Sequence, residues 1–193
     1  MKKMIFLFIG IAMVLHGISL LPSASAFMLH KTEVYSNRLV TSNVEATVRE
    51  GFDAENSVKS SIKVENTGEL DAYIRVRLVG HWQDSKGYPV GLDFKMPAIT
   101  INSTDWIAST AEPYTYYYKF KVSEGTLTSN LLTSNIQLYK RVDTEDTNYE
   151  YYPVIEVFAE AIQAEGTTDL DDIPAVVNAW GVTVKDGIIT AAP

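Results

Sequence analysis

In four stretches between Val44 and Val122 the apolar residues recur at every second position, the spacing of a strand and not of a helix. DAYIRVRLV puts Ala72, Ile74, Val76 and Leu78 on one face and Tyr73, Arg75 and Arg77 on the other. YTYYYKFKV sets Tyr114, Tyr116, Tyr118, Phe120 and Val122 against Thr115, Tyr117, Lys119 and Lys121. NVEATVRE alternates Val44, Ala46 and Val48 with Glu45, Thr47 and Arg49, and SVKSSIKVEN brings Val58, Ile62 and Val64 into phase. Turn chemistry separates the runs at Asn66-Thr67-Gly68, Ser85-Lys86-Gly87, Ser123-Glu124-Gly125 and Lys185-Asp186-Gly187. Half-buried strands joined by such turns predict an antiparallel sandwich or barrel.

Two later stretches break the pattern. In PVIEVFAEAIQAEG, Ile155, Val157, Ala159 and Ala161 alternate, yet Val154, Ile155, Phe158 and Ile162 also form a helical stripe. Its Ala and Glu content favours helix, so periodicity leaves this segment open. A short helix is expected over Asp171–Trp180, where Asp171 or Asp172 can cap, Pro174 sits early and Gly181 stops it. No internal repeat divides the chain.

The N-terminus follows a different logic. Lys2 and Lys3 precede an apolar run from Met4 to Leu15, Pro22 breaks it, and Ala24-Ser25-Ala26 supplies the small residues of a cleavage site. His16, Gly17 and Ser19 interrupt the run, which is short for the ~30 Å hydrocarbon core of a bilayer. Cleavage between Ala26 and Phe27 is therefore expected, with export of residues 27–193. Loss of Lys2 and Lys3 takes the net charge from −8 to −10. An acidic surface cannot neutralise phosphates, so neither nucleic acid nor, after cleavage, a membrane is an expected partner. The chain has no cysteine, so disulfides and thiol catalysis are excluded. "GIITAAP" carries neither a hydrophobic tail nor a sorting signal of the LPxTG type, and no C-terminal wall anchor is expected.

The chemical inventory is thin. His30 and His81 are the histidines beyond the signal, and neither has a metal-ligand partner at helical spacing. HExxH, GxSxG, Walker and dinucleotide motifs are absent. The acidic stretches Thr144–Glu150 and Thr167–Asp172 lack the ligand spacing of a calcium loop and are read as solvated surface. No catalysis, cofactor or metal is expected. Tyr73, Tyr117 and Trp82 are the candidates for outward contacts, for instance to carbohydrate, because the tyrosines fall opposite the apolar faces of their strands.

SNRLVTSNVEATVREGF followed by VENTGELDAYIRVRLVGHW resembles the opening half of the TasA, camelysin and BsaA group of exported Gram-positive biofilm-matrix proteins. YYPVIEVFAEAIQAEG and AWGV are similar to the BsaA-like branch in particular. The similar stretches run over Ser36–Trp82 and Tyr151–Val182, more than half of the exported chain. The resemblance implies an all-β, antiparallel jelly-roll-type sandwich over residues 36–193, with one short helix near the C-terminus. It also implies a strand over Ile155–Gln163, cleavage by a signal peptidase of the SipW type, and homo-polymerisation into fibres of the extracellular matrix. Other matrix components and cell-wall polysaccharide are further candidate partners. Ala26-Phe27-Met28-Leu29-His30 departs from the family's aromatic-plus-acidic stretch after the signal, which leaves the identity of the peptidase open.

Residues 27–35 are the candidate donor strand for such a fibre. A sandwich short of one edge strand exposes backbone and core, and a neighbour's extended segment can fill the gap. Phe27, Leu29 and Lys31 alternate with Met28, His30 and Thr32, and Val34 continues the pattern. Lys31 is in addition a candidate amine for an inter-subunit isopeptide bond. The alternative function is a secreted carbohydrate- or surface-binding β-sandwich module.

Overall fold

The computed structural model describes residues 44–143, 149–164 and 174–193. In chain order its first strands are β1 (Ala46–Asp53), β2 (Val58–Asn66), β3 (Ala72–Gln83), β4 (Pro89–Val90), β5 (Trp106–Ala108) and β6 (Thr115–Tyr118). They are followed by β7 (Ile136–Gln137), β8 (Arg141–Val142), β9 (Glu150–Gln163), helix α1 (Ala175–Trp180), β10 (Thr183–Lys185) and β11 (Ile188–Ala191). Every pairing among these strands is antiparallel. The expectation of an all-β antiparallel chain with one short helix near its C-terminus is met among the described residues.

The strands form two larger sheets and a hairpin. The first has the order β1-β2-β7; the second has the order β5-β6-β3-β9-β8, with β4 also paired to β3; β10 and β11 pair with each other. Ile62 and Val64 from the first sheet meet Ile74, Val76, Leu78, Tyr116 and Ile155 from the second in one core, joined by Trp106, Leu131 and Leu132. Burying side chains of this size contributes about 1.5–3 kcal/mol each. Their even spacing along β2 and β3 is the alternation that the sequence displays.

A bulge changes the phase of β2. Gly51 lies opposite Ser61 and Phe52 opposite Lys59, so Ser60 has no partner across the ladder. The extra residue reverses which side chains face inward. Lys59 turns into the interior at 3% exposure, and Val58, expected in phase with Ile62 and Val64, is only half-buried. Gly51 leaves room for two serine hydroxyls: a Cβ there would lie 2.5 Å from Ser60 Oγ and 2.7 Å from Ser61 Oγ, and both would have to turn away.

The second sheet is covered on both faces. Tyr73 and Tyr117, each 1% exposed, pack with Trp180, Val176, Val182 and Ile189 from α1 and the β10–β11 hairpin. Tyr73 donates its hydroxyl to the Gly187 carbonyl at 3.0 Å. Arg75 lies on the same face, 5.1 Å from the Trp180 ring, and pairs with Glu160 at 2.5 Å. The hairpin turns at Asp186 (φ 51°) and Gly187 (φ 74°), the two left-handed residues that a two-residue turn of matching twist demands.

Three local expectations are adjusted. The tyrosine run forms only a four-residue strand, since Tyr114 takes φ 59° and leaves the ladder. Tyr114 and Phe120 are accordingly exposed, while Tyr116 and Val122 reach the core. The helix begins at Ala175, directly after Pro174, and ends on Gly181, whose left-handed φ of 65° lets its N–H reach the Val177 carbonyl. Asp171 and Asp172 lie outside the described residues. The undecided segment is strand: β9 pairs with β3 without interruption from Gln163 opposite Ala72 to Tyr152 opposite Gln83.

Candidate functional site: two open strand edges and a pocket

Over Tyr152–Gln163, β9 is paired among the described residues only on the β3 side. Among the described residues, β8 covers the other side at Glu150 and Tyr151 and no strand follows further along. The hydrogen-bond phase identifies the groups left at that edge. Ala72 exchanges both of its backbone bonds with Val122, and the Leu78 N–H reaches Tyr114 O, so the even residues of β3 point toward β6. Its odd residues therefore bond to β9, where they oppose Val154, Glu156, Phe158, Glu160 and Ile162. The backbone groups of Ile155, Val157, Ala159, Ala161 and Gln163 consequently face the open side.

The same odd residues turn their side chains to the shared core. Ile155 belongs to it, and Val157, Ala159 and Ala161 pack against it while only partly buried. Backbone and core thus run short of a partner along one line.

β1, which packs near β9, repeats this arrangement. The N–H groups of Ile62, Val64 and Asn66 on β2 go to the Asn130 side chain, the Thr128 hydroxyl and Thr126 O, away from β1. The odd residues of β2 therefore bond Thr47, Arg49 and Gly51 on β1. Ala46, Val48 and Glu50 face the side of β1 on which no strand pairs among the described residues, and Ala46 is a core residue.

At one end of this open side lies a cavity of about 710 Å3, lined by the end of β1, the start of β9 and the Leu138–Lys140 segment. Lys59 and Glu50 are joined in its wall by a 2.8 Å ion pair, Lys59 almost fully buried and Glu50 about one-third exposed. Phe52 and Tyr139, which also line it, are 53% and 75% exposed. Tyr152 lines it too, and its hydroxyl donates to Glu150. Glu150 also pairs with Lys140, and these two hydrogen bonds, the lysine's foremost, hold its carboxyl below the usual carboxylate range.

The residues singled out from sequence fall elsewhere. Ala24, Ala26, Phe27, Met28, Leu29, Lys31 and Val34 lie outside the described residues, as do Thr144–Asn148 and Thr167–Asp172. Tyr73 and Tyr117 are not surface contacts: the C-terminal helix and hairpin cover the face that alternation alone assigns to solvent. Trp82 is half-buried, its indole N–H donating to Asp93 O at 3.1 Å and its ring meeting Phe94 edge-on. Glu50, Lys59 and Phe52 carry one sequence signal that was available, the isolated glycine Gly51 inside a strand, which marks a bulge. Among the described residues, no group of three metal-ligating side chains occurs.

Comparison with protein-family models, with curated proteins and with solved structures finds no match for this chain.

Proposed function

We propose that this chain is a non-catalytic structural subunit of an extracellular matrix fibre, with a jelly-roll-type sandwich that assembles head-to-tail by strand donation. The observation that carries the reading is the coincidence along β9: Val157, Ala159 and Ala161 offer outward backbone groups and incompletely covered core side chains together. An added strand bonded there supplies both deficits at once. Residues 27–35 of another copy are the donor in this reading, freed by a signal peptidase that cuts between Ala26 and Phe27. Burying Phe27 and Leu29 would contribute about 1.5–3 kcal/mol each. Because donor and acceptor are different surfaces, the contact does not close on itself and a filament results.

Secreted protein is expected to form filaments visible by negative-stain microscopy, and deletion of residues 27–35 is expected to leave monomers. Filaments from the deleted form would overturn strand donation; monomers from the intact form would overturn the fibre. Lys31 is the proposed amine of a covalent inter-subunit link. Its replacement by arginine should collapse boiled, detergent-resistant ladders while leaving filaments.

A further inference from the structure

We propose that the pocket bounded by Phe52, Tyr139 and Tyr152, with the Lys59–Glu50 pair in its wall, binds a neutral oligosaccharide. This inference stands apart from strand donation, since it concerns side chains of one subunit.

The bulge at Ser60 is what builds the site. It turns a lysine, a residue almost never buried without compensation, into the interior beside Glu50. The ammonium has three N–H donors, and Glu50 is the acceptor to which its hydrogen bond goes. Glu50 retains part of its surface at the cavity. Donor and acceptor therefore stand side by side 2.8 Å apart, the arrangement that two adjacent hydroxyls of a sugar ring satisfy, one accepting from Lys59 and the other donating to Glu50. A single hydroxyl both donates and accepts, so either orientation serves.

Charge and shape narrow the ligand. Lys59 is neutralised by Glu50 and Lys140 by the adjacent Glu150, so no uncompensated lysine draws an anionic ligand, and hydroxyls of a neutral one can share the Lys59–Glu50 pair. Phe52 and Tyr139 come from different elements, yet both leave much of an aromatic ring in water at the mouth. Both rings line the cavity, and flat aromatic faces pack against the C–H faces of pyranoses. At about 710 Å3 the cavity falls within the range of roughly 300–1,000 Å3 typical of small-ligand pockets.

The test is calorimetric titration of the secreted protein with gluco-, xylo-, manno- and galacto-hexaoses, in parallel with a peptide of residues 27–35. We expect saturable binding of at least one hexaose, weakened tenfold or more by Tyr139→Ala and by Phe52→Ala. Lys59→Met combined with Glu50→Leu replaces the ion pair with apolar groups of similar size, a change that folded proteins commonly tolerate. This variant should keep its circular dichroism spectrum and lose hexaose binding. The proposal is overturned if no hexaose binds, if binding survives the double substitution, or if the peptide alone occupies the pocket. Fibre formation is scored separately on the same variants, so failure of the saccharide site leaves strand donation untouched.

Discussion

Asn66 has no exposed surface, and its side-chain amide makes three hydrogen bonds. Its Nδ2 donates to Leu70 O at 2.7 Å and to Val122 O at 2.8 Å, while Oδ1 accepts from the Gly68 N–H at 3.1 Å. The residue closes the turn between β2 and β3 and ties it to Val122, which bridges Ala72. Alanine at this position removes all three of these hydrogen bonds, each worth about 0.5–1.5 kcal/mol, although the Val122 carbonyl keeps the Ala72 N–H as a partner. Asn66→Ala is therefore expected to lower unfolding stability by about 2–4 kcal/mol, measured by urea denaturation. That Asn66-Thr67-Gly68 makes a turn was legible in sequence, because these residue types favour one. The clamp was not, since it depends on a carbonyl 56 residues away.

Among elements, β9 shows how two adjacent residues in one strand acquire opposite tolerance to proline. Proline removes a backbone N–H and is accepted in a strand only where that group is unpaired. At Ala159 the N–H faces the open edge, whereas at Glu160 it faces Arg75 of β3. Ala159→Pro is expected to leave the folded monomer largely intact and to abolish filaments. Glu160→Pro removes a ladder hydrogen bond to β3 and should destabilise the monomer by about 1–3 kcal/mol, besides losing the pair with Arg75. Thermal melts and electron microscopy of the two variants separate fold from assembly. Gly80 constrains β3 in a different way: a Cβ there would lie 2.2 Å from the Phe94 ring, so that ring and Trp82 cover the strand only above a glycine. None of this is visible in PVIEVFAEAIQAEG read alone, where composition argues for helix. A long partner strand, β3, outweighs that weak local preference.

At the scale of the whole molecule, stability is expected to fall in alkali, because Tyr73 and Tyr116 are buried. Burial raises the phenol of Tyr73 above its ordinary 10.0, and burial with the neighbouring Tyr114 does the same for Tyr116. In the unfolded chain both phenols titrate near the ordinary value, so rising pH strips protons first from the unfolded state. Their stabilising contribution is complete below pH 10.0 and is lost as pH climbs through the raised folded values. Unfolding free energy is expected to decline as pH rises above 10.0, and Tyr73→Phe should flatten that decline; urea titrations followed by circular dichroism measure both.

Period-two alternation marked Ile62, Val64, Ile74, Val76 and Tyr116 as interior and placed the turns, because strand geometry projects successive side chains to opposite faces whatever the rest of the chain does. Alternation states only that two faces differ. It does not state what covers the second one, so Tyr73 and Tyr117 were legible as a separate face and not as a second core. That outcome required α1 and the β10–β11 hairpin to fold back over residues about 60 to 120 positions earlier in the chain. Likewise one unpaired residue, Ser60, reversed the phase of β2 and moved Lys59 into the wall of a pocket. A bulge is a property of two strands in register, and local sequence specifies the register of neither strand alone. The open edges follow the same reasoning: backbone groups are identical in every residue, so which of them lack partners is settled by packing between distant strands.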